Sequence, residues 1–153
     1  MREVIQKTTK TCYTFEEVYG AVIQAFGKVM EQSPGIQIGY VAGIIKADGS
    51  EHIETNRKTL MKFTEDTRRN MDFPIFSATD VFSDDVYTRL GGLESIEAGN
   101  HDFRKFWRDI LKAGYITDIF MTPRWEQSGG AIDEHNTALT LKLHIHYLDK
   151  NNF

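Results

Sequence analysis

The chain is poor in cysteine and proline, carries no excess of basic charge, and contains no long apolar run. Cys12 is the single cysteine of 153 residues. No intrachain disulfide can therefore form, and a reducing, cytoplasmic setting is expected. The three prolines each mark an expected boundary: Pro34 closes a helix, Pro74 stands near the first residue of a strand, and Pro123 breaks the chain after one. No stretch approaches the roughly 20 apolar residues of a membrane span. The opening residues, Met-Arg-Glu-Val-Ile-Gln-Lys, hold no apolar core of signal-peptide length. Neither a membrane partner nor export is expected. Basic residues number 18 against 22 acidic, a net charge of -4, so no global positive field recruits nucleic acid. G-x-G-x-x-G and G-x-x-x-x-G-K-[ST] are both absent, which removes the dinucleotide fingerprint and the P-loop.

What is present suits one ordinary globular domain, 41% hydrophobic and 26% charged. Residues 1–13 alternate weakly through Val4, Ile5, Cys12 and Tyr13 and are expected to form an edge strand. Thr14-Phe15-Glu16-Glu17 is a capping box. Behind it Val18, Ala21, Val22, Ala25, Phe26 and Val29 repeat as one helical stripe, stopped by Ser33-Pro34-Gly35. Residues 1–34 thus read as a strand and helix extension to a core over 35–150.

Within that core, the apolar run from Ile36 to Ile45 predicts a central strand, followed by the turn Lys46-Ala47-Asp48-Gly49. A polar helix is expected over 54–71, a strand from Phe73 to Phe82, and an irregular loop over 83–102 of the length that often binds or covers a ligand. Phe103, Phe106, Trp107, Ile110 and Leu111 mark an amphipathic helix closed by Gly114, with Asp109 on its flank. Tyr115–Met121 and Leu143–Leu148 complete the strands. His144 and His146 share a face of the last strand. No third ligand stands at metal spacing, and no metal or other cofactor is expected. Strands alternating with helices predict an α/β fold, a doubly wound, mainly parallel sheet with helices on both faces.

The organising stretch is Thr122 to Ala138. Strand, glycine loop and helix start follow one another there. The first amides of a helix have no partner within it, and the helix dipole adds positive potential, so this corner suits an anion. Ser128 is placed to cap the helix or hold a ligand oxygen, and Ile132, Ala138, Leu139 and Leu141 are available for its inner face. Glu134, about one turn in, faces the same corner as a nucleophile or base. Gly43, at the end of the first strand, reads equally as a bend and as a close approach to ligand.

Three segments carry a resemblance to a known family. They are Tyr40-Val41-Ala42-Gly43-Ile44-Ile45-Lys46; Asp109 ahead of Ala113-Gly114-Tyr115-Ile116-Thr117-Asp118; and Ser128-Gly129-Gly130-Ala131-Ile132-Asp133-Glu134 with Ala138. Across about residues 36–148 the chain resembles the nucleoside 2-deoxyribosyltransferase-like superfamily. It is most similar to the 2'-deoxynucleoside 5'-phosphate N-hydrolase branch and to uncharacterised W-x-x-S-x-G-A-x-x-E domains. The resemblance implies Glu134 as nucleophile on the anomeric carbon and Asp109 as general acid. It implies a 5'-phosphate at Ser128, Gly129 and Gly130, and a nucleotide pocket walled by Tyr40, Gly43, Ile45 and Lys46, with Trp125 in the adjoining loop. Lys46 stands where the family has arginine, and a serine at 128, in place of an acid, favours phosphorylated substrates and hydrolysis over base exchange. A helix N-terminus would keep Glu134 ionised, and retaining geometry would set two carboxyls about 5 Å apart. The family also implies a homo-oligomer with its site near a subunit interface. Base exchange, a nucleotide-sensing module without catalysis, and a scaffold assembled through the N-terminal helix are the alternatives.

Overall fold

The computed structural model describes residues 1–92 and 103–149. Its centre is a four-stranded, all-parallel sheet of β1 (Gly39–Ala42), β2 (Ile75–Ser77), β3 (Asp118–Met121) and β4 (His144–Tyr147), in the order β2-β1-β3-β4. Seven α-helices surround it among the described residues: α1 (Arg2–Thr9), α2 (Phe15–Gln32), α3 (Ile53–Asn70), α4 (Ala78–Val81), α5 (Asp84–Arg89), α6 (Phe103–Lys112) and α7 (Gly129–Leu141). The expected doubly wound α/β architecture is therefore present. Strand order reverses between β1 and β3, and in open parallel sheets the crevice beyond the strands' carboxyl ends at such a point takes ligands.

Register explains the layering. Gly39, Val41, Asp118 and Phe120 pair along one face of β1 and β3, with Tyr40 and Ile119 on the other. α3 packs on β1 and β2. Gly39 has no room for a side chain, because a β-carbon there would meet Ile75, Phe120 and Phe73. On the opposite face Phe26 of α2 packs edge-on against Phe76, and Tyr40 stacks on Trp107 of α6 at 4.8 Å. Val18, Val22, Ala25 and Phe26 are fully buried. The second helix is therefore a layer of the core and not an appendage to it. Its capping box forms as expected: Thr14 Oγ1 accepts from Glu17 N at 3.1 Å, and the Glu17 carboxylate accepts from Thr14 N at 3.3 Å.

Residues 1–13 are not an edge strand. They fold as α1, which lies against α2 and α4. The β-branched pairs Val4-Ile5 and Thr8-Thr9 stand four residues apart, a helical spacing, and Ile5 and Thr9 are both buried. Arg2 fixes this helix to the body by donating to Asp80 Oδ1 at 2.9 Å, and Arg68 of α3 holds the other oxygen of the same carboxylate. Asp80 also accepts from Ser77 N. The strand expected through Phe82 stops at Ser77 and turns into α4. The loop expected over 83–102 begins as α5, capped by Ser83; residues 93–102 lie outside the described residues. No helix among the described residues is long and apolar enough to cross a membrane.

Asp80 is 1% exposed, so truncating it removes the buried carboxylate that Arg2 and Arg68 share and leaves them only the half-exposed Glu65 as an acidic partner. Asp80→Ala is expected to lower stability by about 3 kcal/mol. Asp66→Ala, which removes a partner from the exposed Arg69, is expected to cost about 0.5 kcal/mol or less. Urea unfolding of the two variants checks the contrast.

Candidate functional site

A cleft of about 300 Å³ opens beyond the carboxyl ends of β1 and β3. The loop after β1 supplies Gly43, Ile45, Lys46 and Ala47. The start of α7 supplies Ser128, Gly129, Gly130, Ala131 and Glu134. Phe82, Tyr87, Phe103 and Trp107 form an aromatic wall, with Arg104 beside them. Most of the residues expected at the site thus converge here.

The helix start is built as its sequence requires. Ser128 has extended backbone, and its Oγ accepts from Ala131 N at 3.3 Å. The hydroxyl keeps its own hydrogen for a ligand oxygen. The amides of Gly129 and Gly130 occupy the first helical positions, where no intrahelical acceptor exists. A β-carbon on Gly129 would collide with Arg104 Nη2, so the guanidinium rests on the first residue of the helix. Lys46 Nζ lies 4.8 Å from the centre of the Phe103 ring. Gly43 lines the cleft, but its lack of a side chain has a local cause: a β-carbon there would strike the side chains of Thr122 and Leu60.

Among the described residues, Glu134 is the only acid lining the cleft. It is 7% exposed, and the Tyr40 hydroxyl donates to its Oε1 at 3.2 Å. Burial raises its pKa from an ordinary 4.5 to about 8; the Tyr40 hydrogen bond pulls the other way, and Asp133 adds a smaller upward push. The expectation that the helix N-terminus would hold Glu134 ionised is therefore corrected. The helix dipole contributes a partial charge, while the loss of water around a buried carboxylate is the larger effect. Tyr40 is pushed well above its ordinary value, first by burial and then by Glu134. It lies beneath the cleft, between Glu134 and Trp107, and does not form the expected wall.

Two other expected residues stand apart. Asp109 is not among the residues lining the cleft; it is paired with Lys105, one turn back on α6. The helix presents Phe103 and Trp107 to the cleft, and residue 109 falls about 160° away from Trp107 at 100° per residue. A pair of carboxyls facing one ligand is not formed among the described residues of this chain. Trp125 also does not line the cleft. It stacks on His135 at 4.2 Å, and His135 Nε2 lies 2.8 Å from the Tyr147 hydroxyl. The inner face of α7 differs from expectation as well: Ile132 and Leu139 are 37% and 55% exposed, while Ala131, Glu134, His135, Thr137 and Ala138 are buried. His146 Nε2 and His144 Nδ1 turn to Asp118 Oδ1, at 2.7 and 3.5 Å.

Arg104, Tyr87 and the aromatic wall were not expected as site residues. Phe103 and Trp107, four apart, read only as an apolar stripe. Arg104 beside Phe103 was the available signal, since a cation flanking that stripe borders whatever the stripe faces.

The raised pKa of Glu134 has a stability consequence whose sign is fixed. The folded state holds this proton more tightly than the unfolded chain, so stability falls as pH rises from about 4.5 to about 8 and is level above that. Each tenfold gain in proton affinity is worth about 1.4 kcal/mol, which makes the full difference on the order of 5 kcal/mol. Glu134→Gln is expected to remove this dependence. In guanidinium unfolding it should gain on the wild type between about pH 5 and pH 8; parallel pH profiles would exclude a buried, proton-holding Glu134.

Family models, curated proteins and solved structures were all compared with this chain, and none matches.

Proposed function

We propose that the protein hydrolyses the N-glycosidic bond of a nucleoside or deoxynucleoside 5'-monophosphate, releasing free base and sugar phosphate. The observation that supports this most directly is Glu134: a lone carboxylate, almost wholly buried, held by one tyrosine hydroxyl and turned into a cleft with an anion-ready helix start. Burying an ionisable group is costly, and an acid kept for the core would have its lone pairs satisfied. A strongly perturbed acid in a cleft is the arrangement that chemistry uses.

The parts supply a coherent reaction. The phosphate sits on the amides of Gly129 and Gly130 and the Ser128 hydroxyl. The base lies along the Phe82, Tyr87, Phe103 and Trp107 wall, where aromatic faces stack on its ring. The sugar then spans the interval, with its anomeric carbon towards Glu134. The ionised carboxylate attacks that carbon as the C–N bond breaks, and the electron pair leaves with the base nitrogen. Solvent at the mouth of the cleft protonates that nitrogen, since Asp109 does not border the cleft of its own chain. Water then hydrolyses the glycosyl ester and regenerates Glu134. The Tyr40 hydroxyl stabilises the carboxylate over its protonated form.

A second reading is a nucleotide-binding module without catalysis. The position of Asp109, paired with Lys105 outside the cleft, favours it, because the usual two-carboxyl arrangement is then incomplete. Chromatography of free bases after incubation with common ribo- and deoxynucleotides separates the two readings: release is expected, and binding without release leaves only the module. Base exchange is separated from hydrolysis by adding an acceptor base to the same incubation. Glu134→Ala is expected to abolish release.

Because the ionised acid is the reactive form, kcat/KM is expected to rise with pH and level off above about 8. Tyr40→Phe removes the contact that lowers the pKa, so the midpoint should move higher and the rate at neutral pH should drop about ten- to a hundredfold. A midpoint unmoved in Tyr40→Phe would mean that the hydroxyl does not tune the carboxylate.

A further inference from the structure

The Arg104 guanidinium lies against Gly129, at the first residue of α7. That end of a helix carries a partial positive charge of roughly half a unit. Arg104 has no hydrogen bond or ion pair among the described residues. The other arginines of the described residues are all held: Arg2 and Arg68 by Asp80, Arg57 by Asp84, Arg69 by Asp66, Arg89 by backbone carbonyls, Arg108 by Asp133, and Arg124 by Asp48. Arg104 is exposed, so its positive charge beside a positive helix end, with no carboxylate offsetting it among the described residues, is compensated by solvent alone. An anion bridging the two compensates both. The cleft supplies the space, and Lys46 lines its other side.

From this arrangement we infer that Arg104 is the residue that selects phosphorylated ligands, gripping a phosphate monoester between its guanidinium and the Gly129–Gly130 amides. The inference rests on the nucleotide reading of the cleft and adds a specificity residue to it. A planar guanidinium offers two parallel donors to two phosphate oxygens, which a lysine cannot. Gly129 then has a specific purpose. Its missing side chain leaves the space that the guanidinium occupies, and a β-carbon there would make the flexible guanidinium move aside. The dianionic ester, formed above a pH of about 6, is the preferred form, since it meets two positive groups at once. An unphosphorylated nucleoside would reach the aromatic wall but leave the cation and the helix end uncompensated.

Inorganic phosphate is a suitable probe, because its binding needs no cleavage. Titration calorimetry on the full chain, at a pH of about 7.5 where phosphate is mostly dianionic, is expected to detect phosphate binding to the wild type. Arg104→Gln should weaken that binding about tenfold or more, and Gly129→Ala should weaken it in the same sense. Arg104→Lys should recover only part of the affinity. Lys28→Gln, the same charge change at an exposed position of α2 away from the cleft, is expected to leave it unchanged. Absence of phosphate binding to the wild type would overturn the inference. So would unaltered binding in Arg104→Gln, or an equal loss in Lys28→Gln. The two proposals fail separately. Arg104-dependent phosphate binding with no base released from any nucleotide would retire the glycosidase reading and keep the clamp. Base release by Arg104→Gln with an unchanged KM preference for nucleotide over nucleoside would do the reverse.

Discussion

The contact between Tyr40 and Glu134 is the constraint around which the rest is arranged. A carboxylate 7% exposed, with one hydroxyl donating to it, is tolerated only because its neighbours are rigid. Tyr40 is fixed from below by stacking on Trp107 and packing against Phe76. It lies on β1, one of the two strands flanked by parallel partners on both sides. Glu134 comes from the second turn of α7, whose start is set by the Ser128 cap. The two side chains meet across 94 positions of sequence. Any shift of α7 along β3 would leave a buried hydroxyl and a buried carboxylate without partners, at a cost of several kcal/mol.

The charges around the cleft follow from the same arrangement. Its acid lies deep and its cations, Lys46 and Arg104, line the walls. The proposed nucleotide suits this gradient, with its phosphate towards the amides and the guanidinium and its base towards the aromatic wall. The buried acid is left opposite the middle of such a ligand. Among the described residues of one chain no second acid borders the cleft, so in the proposed hydrolysis Glu134 is the nucleophile, Tyr40 tunes it, and solvent supplies the proton.

The parts of the fold legible from residues alone were those with local causes. The capping box at Thr14, the stripe from Val18 to Val29 and the serine cap at 128 each depend on neighbours within a turn or two, and each forms. The expectations that failed depended on distant partners. Residues 1–13 alternate too weakly to distinguish strand from helix, and Asp80 and α2 decide the matter from far along the chain. On α7 the apolar residues Ile132 and Leu139 pointed to one inner face; the helix is instead rotated so that Glu134 and His135 turn inward. A functional site often breaks the polarity pattern in this way, since it buries the polar groups it uses.

From its amino acids alone, the chain is an α/β protein with an anion-ready corner at Ser128–Gly130 and a carboxylate at position 134. Capping, glycine placement and hydrophobic periodicity act over a few residues and need no tertiary partner. Only the packed structure decided which groups face that corner. It placed Arg104 there and Asp109 elsewhere, although both stand on one helix little more than a turn apart, because the roll of α6 on the sheet is set by Phe106, Trp107, Ile110 and Leu111 together with the layers they contact. It also decided that Glu134 holds its proton to about pH 8, since water is excluded by the assembled walls of the cleft and not by any residue adjacent in sequence.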